Sequence, residues 1–197
     1  MGRAQVNWRS IQYKISKSKK LNQSLEKTGR KKFEIAKRKL MDEFEGHAVT
    51  KEIGGGSSSK NLSGSLGGYG NLFSLIGFPK GADPLSDVRS LLNASIRIKT
   101  NKARVSPKIV SKNFSVKIPT IKDFAAIGKM PYEGGNSWIE MIEMGISNFS
   151  SYMNKKSSAS RSGGGIQIKG KIRMAGSTPT PYMTELLNSF RKELMRK

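Results

Sequence analysis

Glu140 and Glu143 stand three residues apart in a stretch of helical periodicity, so they share one helix face, as a pair of acid/base carboxylates would. No pocket-forming pattern surrounds them, and Ser137 with Glu140 has the spacing of a helix capping box, which gives Glu140 a local task. His47 is the only histidine and there is no cysteine. One imidazole without thiolates supplies none of the usual zinc ligand sets, and no Ser/His/acid or Cys/His constellation surrounds it. His47 follows the predicted helix end Phe44-Glu45-Gly46, where an imidazole interacts with the last carbonyls. Gly165-Ile166-Gln167-Ile168-Lys169-Gly170-Lys171 matches the spacing of a phosphate-binding GxxxxGK, yet Ile172 stands where Ser or Thr would ligate magnesium. Its inner residues also alternate as a strand, which leaves no loop of free amides. Gly68-x-Gly70 lacks the third glycine and preceding strand of a dinucleotide site. The chemistry-bearing residues thus point away from an enzyme, a resident metal or a cofactor.

The elements that carry these residues are dominated by charge. The chain has 197 residues, with 36 Lys and Arg against 14 Asp and Glu, a net charge of +22. The excess is spread along the chain: 13 basic against 5 acidic residues in 1–50, 13 against 7 in 51–150, and 10 against 2 in 151–197. A disordered basic arm would show like-charge blocks without apolar periodicity. Here apolar residues punctuate the charged segments, so the charge belongs to a folded surface whose self-repulsion opposes the compact state. A polyanion, or partners that cover and neutralise it, relieves that repulsion. No apolar run reaches the ~20 residues of a membrane span, and the N-terminus lacks an apolar signal core, so a soluble cytoplasmic product is expected.

Residues 17–46 read as a long amphipathic helix with Leu21, Leu25, Phe33, Ala36, Leu40 and Phe44 on one stripe and Gly29 as an interruption. Asp42, Glu43 and Glu45 crowd its C-terminal end, against the helix dipole. They are either a solvated face or a contact for a basic partner. Asp83-Pro84 predicts a short helix whose buried side is Leu85, Val88, Leu91 and Leu92. Strands are expected at Ile96–Ile98 and across Phe114, Val116 and Ile118, then one or two helical turns over 120–128. A central helix is predicted over 138–153, a strand over 166–174, and a last helix after Thr180-Pro181 with the stripe Met183, Leu186, Leu187, Phe190 and Leu194. The sum is one α+β domain over 1–197: a small antiparallel sheet packed with a long N-terminal helix, a central helix and a C-terminal helix.

Two surfaces are candidates for function. The Gly/Ser-rich segment 54–73 still holds Leu66, Tyr69, Leu72 and Phe73. It reads either as an extended arm that orders on a neighbouring subunit or as a flexible internal linker. With Asp42, Glu43 and Glu45, those four residues are the expected subunit interface. Lys155, Lys156 and Arg161, with Lys169, Lys171 and Arg173 on the basic face of the following strand, read either as a solvated or interface face or as a surface that meets an acidic partner or DNA. Aromatic interleaving for base stacking is absent there, and no helix-turn-helix, RNP or zinc-finger signature occurs.

Met130-Pro131-Tyr132-Glu133-Gly134-Gly135-Asn136-Ser137-Trp138 leads into Ile142-Glu143-Met144-Gly145-Ile146-Ser147, then Ser160-Arg161-Ser162-Gly163-Gly164-Gly165-Ile166-Gln167 and Thr178-Pro179-Thr180-Pro181-Tyr182. With Phe44-Glu45-Gly46-His47-Ala48-Val49-Thr50 and Gly67-Gly68-Tyr69-Gly70-Asn71-Leu72-Phe73, this pattern resembles virion structural proteins of tailed bacteriophages, in the neck and tail-completion group. The resemblance spans most of residues 20–195. Members of that group pair a long N-terminal helix with a small antiparallel sheet and place a Pro-aromatic step before the last helix, as Pro181-Tyr182 does. It implies a non-enzymatic homo-oligomer, commonly a six-fold ring, around the channel through which DNA passes. It further implies neck, tail-tube or sheath proteins as neighbours, transient contact with passing DNA, and a place in the virion after assembly in the host cytoplasm. The rival expectation is a basic nucleic-acid-binding protein of DNA-condensing or ribosomal type, which the charge alone would suggest.

Overall fold

The computed structural model describes residues 7–66, 70–105, 110–131, 137–144, 151–154, 166–169 and 180–196. Helix α1 (Trp8–Lys17) stops at Ser18, whose extended backbone breaks the axis and whose hydroxyl accepts from the Leu21 amide to open α2 (Lys19–Gly46). The long helix expected over 17–46 is therefore α2. Its stripe behaves as the spacing predicts: Phe33, Ala36, Leu40 and Phe44 are buried, while Leu21 and Leu25 nearer the N-terminus are half-buried.

His47 joins α2 to α3 (Ala48–Gly54). Its backbone amide closes on the Phe44 carbonyl, while its ring Nδ1 accepts from the Val49 amide at 3.2 Å. The imidazole thus caps the next helix rather than reaching back to the carbonyls of the one before. A 3-10 turn (Gly56–Ser58) follows, then α4 (Leu72–Ile76), opened by the Asn71 side chain accepting from Ser74 and closed by Gly77 in the left-handed region at φ 82°. Helix α5 (Ser86–Ser95) leads into β1 (Arg97–Val105), which pairs antiparallel with β2 (Val110–Lys117). Helix α6 (Ile121–Ile127), α7 (Trp138–Met144), β3 (Ser151–Asn154), β4 (Ile166–Lys169) and α8 (Tyr182–Met195) complete the order.

The architecture is α+β, with two points of difference from the expected layout. Among the described residues the strands form two antiparallel pairs, β1–β2 and β3–β4. The central helix is described only over 138–144, and Ser151–Asn154, expected within it, instead pair with Ile166–Lys169. Of the expected strand 166–174, residues 170–174 lie outside the described residues, as do 145–150.

The core gathers around α8. Tyr182, Met183, Leu186, Leu187 and Phe190 are buried on it, against the second half of α2 and against Trp138, Ile139 and Ile142 of α7. The rings of Phe73, Phe78 and Trp138 form a chain with centroids 5.4 and 5.9 Å apart. Such offset and edge-on pairs add about 0.5–1.5 kcal/mol each beyond their buried area. The β1–β2 pair lies against α2 at Gly29, the position where the helix surface has no Cβ: one built there would fall 2.3 Å from Cζ of Phe114. The interruption in the apolar stripe is the seat of an aromatic ring.

Candidate functional site

The acidic residues of the fold are largely occupied within the chain. Glu52 on α3 is fully buried, and its two carboxylate oxygens accept from the Ser63 amide at 2.8 Å and the Leu72 amide at 2.7 Å. One side chain thus ties both sides of the Gly-rich segment to the helix before it. Asn71 adds bonds from its amide to the Ser57 and Ser59 carbonyls, each 3.0 Å. The Ser65 hydroxyl meets that of Thr180 at 3.2 Å. Glu143 of α7 accepts from the Thr184 amide at 2.8 Å, satisfying a free N–H in the first turn of α8. Asp123 accepts from both the amide and the hydroxyl of Thr120 at the start of α6, which holds its carboxyl below the usual range.

Other acids pair with cations of their own chain. Glu45 takes a two-pronged bond from Arg89 of α5, at 2.6 and 3.2 Å. Glu43 lies 4.0 Å from Lys39, which bonds Glu193 of α8 at 2.7 Å. Glu26 accepts from Arg30 and from Lys112 of β2, and these bonds lower its carboxyl below the usual range. The acids that crowd the end of α2 therefore meet basic partners inside the fold for Glu43 and Glu45, while Asp42 is exposed.

A polar junction lies where α3, α7 and α8 meet. The Tyr182 hydroxyl and the Thr50 hydroxyl are 2.5 Å apart, both groups buried, and burial pushes the phenol well above its ordinary range. The His47 ring sits 4.7 Å from the Tyr182 ring. Desolvation lowers the imidazole pKa, with Glu185 and Glu143 opposing. The bonds of His47, Thr50, Tyr182 and Glu143 here serve caps and helix junctions. Glu140 has its amide 3.4 Å from the Ser137 hydroxyl, and Glu143 is spent on α8. Among the described residues no group of three or more His, Cys, Asp or Glu is placed to hold a metal ion.

The outer surface of α2 is different. Four of its cations are tied down: Arg30 to Glu26, Lys32 to the Arg196 carbonyl, Lys37 to the Asn93 carbonyl at 2.7 Å, Lys39 to Glu193. Lys20, Lys27, Lys31 and Arg38 are exposed and take no hydrogen bond or ion pair among the described residues. Beside Lys31 a groove of about 340 Å³ runs between α2 and the end of α8, with Ile35, Lys32 and Arg196 on its walls. Helix α1 also leaves apolar surface outside: Ile11, Tyr13 and Ile15 are 39%, 59% and 38% exposed.

The residues expected at a subunit interface separate. Leu72 and Phe73 lie in the chain's own core, so neither presents surface to a neighbour, and Leu66 is half-buried against that core. Where it is described, segment 54–73 folds back on its own chain through Glu52 and Asn71 rather than extending. Tyr69 falls outside the described residues, as do Lys155, Lys156, Arg161, Lys171 and Arg173. Lys169 is described only as a backbone position at the end of β4. The cation row on α2 was written in the sequence as spacings of seven, four and seven. Glu52 left no such mark, because its task depends on chain closure.

Among the described residues no helix is long and apolar enough to cross a membrane. Comparison of the chain with protein-family models, with curated proteins and with solved structures returns no match.

Proposed function

We propose that the chain is a structural subunit of a tailed-phage neck or tail-completion assembly, a non-catalytic protein that closes into a ring, six-fold by the resemblance, around the DNA channel. The reading is supported by the motif resemblance and carried by one observation. Most of the described acids are drawn into caps, clamps and internal ion pairs, while an unpaired row of cations on α2 and the apolar side chains of α1 stay outside. A chain so arranged leaves part of its apolar surface for a neighbouring copy to cover and its positive charge for DNA or an acidic partner to neutralise. Ile11, Tyr13 and Ile15 are the side chains a neighbouring copy would bury, and a heterologous contact there closes into a ring when the rotation between copies closes. The segment 54–73, closed on its own chain where described, contributes less to this contact than α1 does.

Static light scattering and negative-stain images decide the matter. The full chain, alone or with candidate neck, tail-tube and sheath proteins, is expected to give a closed ring. The triple variant Ile11→Ser, Tyr13→Ser, Ile15→Ser is expected to stay monomeric while keeping its helical signal. A wild-type chain that remains a monomer at high concentration and with every such partner would exclude the proposal.

A further inference from the structure

We infer that the outer face of α2 is a sequence-independent binding surface for the phosphate backbone of nucleic acid, with Lys20, Lys27, Lys31 and Arg38 as its contacts. At 100° per residue, the spacings of seven, four and seven place these four side chains within about 40° of arc along an axial distance of about 27 Å. All four are exposed and unpaired among the described residues; of the other cations of the helix, Arg30, Lys32, Lys37 and Lys39 are held by Glu26, Glu193 and two backbone carbonyls, and Lys19 at the first position lies off the row. Glu34 is the one acid beside the row; Asp42 and Glu45 lie beyond its end.

Composition argues for phosphate over an acidic protein. Protein interfaces are depleted in lysine and centre on buried aromatic or aliphatic anchors. Three of the four contacts here are lysines, and Ile35 is the single large apolar side chain exposed on this stretch of α2. A duplex offers a line of charge, one for about every 1.7 Å of axis, that needs no anchor and no exact register. The row has no Asn or Gln to pair with adenine and no aromatic ring to stack on a base, and its three lysines act as point charges suited to phosphate, so sequence-independent contact is expected.

The face belongs to the single chain and stands apart from ring formation: scattering tests the ring, binding tests the face. The test is fluorescence anisotropy of the full chain with two 30-bp duplexes of unrelated sequence, titrated with salt. Wild type is expected to bind both equally, and four phosphate contacts alone weaken binding about 100-fold between 50 and 200 mM salt. The variant K20Q/K27Q/K31Q/R38Q is expected to bind at least about tenfold more weakly at 100 mM, with the log–log salt slope reduced by about 3 to 4. A control, K60Q/K80Q/K122Q/K129Q, removes four scattered exposed charges and is expected to keep its affinity within about threefold and its slope nearly unchanged. Equal losses in the two variants, no duplex binding by wild type, or displacement of the duplex by poly-glutamate at equal charge would each overturn the inference.

Discussion

The Cβ that Gly29 lacks would lie 2.3 Å from Cζ of Phe114, so the ring of β2 occupies the space above a glycine of α2. Gly29→Ala is expected to destabilise the protein by about 1–3 kcal/mol, because a methyl group forced against a packed ring shifts it. With Phe114→Ala in the background the sign should reverse. Alanine then favours the helix by up to about 1 kcal/mol over glycine. Urea unfolding of the four proteins forms the cycle, and an additive result would show that the contact carries no energy.

Glu52 satisfies two amides with one buried carboxylate. Glu52→Gln turns one acceptor into a donor that faces an N–H, at a cost of about 1–3 kcal/mol, and Glu52→Ala strands both amides and costs more. Limited proteolysis should report the loss locally, as faster cleavage over 54–66 than in wild type under native conditions.

Tyr182→Phe leaves the Thr50 hydroxyl buried without its partner and is expected to cost about 1–3 kcal/mol. The double variant Thr50→Val, Tyr182→Phe removes both ends of the bond and should recover most of that loss. Recovery absent from the thermal unfolding midpoints would mean that the hydroxyls contribute independently.

His47 gives the fold a pH dependence of definite sign. Its pKa is lowered in the folded state by burial, so the unfolded chain binds the proton more tightly. The contribution is complete above the unfolded value near 6.5 and declines as pH falls through and below it. Protonation at Nδ1 would also remove the acceptor for Val49. The carboxylates of Glu26, Asp123 and Glu193, held below their ordinary range, lose their contributions only at lower pH. His47→Asn keeps a capping acceptor without titrating. Its melting temperature should vary less between pH 7 and 5 than that of wild type, and equal slopes would count against the assignment.

The long elements were readable from spacing alone. Over α2 and α8 the apolar period runs for several turns and fixes both the helix and its buried face, down to Phe190 and Phe44. The same rule overextends α7, since the spacing from Trp138 continues through Ile146 and Phe149, while Ser151–Asn154 pair with a strand a dozen residues on that local period cannot detect. Leu72 and Phe73 misled for a related reason. Glycine-rich surroundings suggest an arm, and only the distant carboxylate of Glu52 draws the segment back. Gly29 looked like a weak point of the helix until Phe114 supplied its purpose.

The clamp at Glu52 has a consequence for the connectivity of the chain. A cut beside Gly64 puts Ser63 on one piece and Leu72 on the other, yet Glu52 holds the amides of both. The first piece carries Phe33, Leu40 and Phe44, and the second carries the α8 side chains they pack against. Two separately produced fragments, 1–64 and 65–197, should therefore find each other and restore the fold, making this segment a place to split the protein and use its reassembly as a reporter.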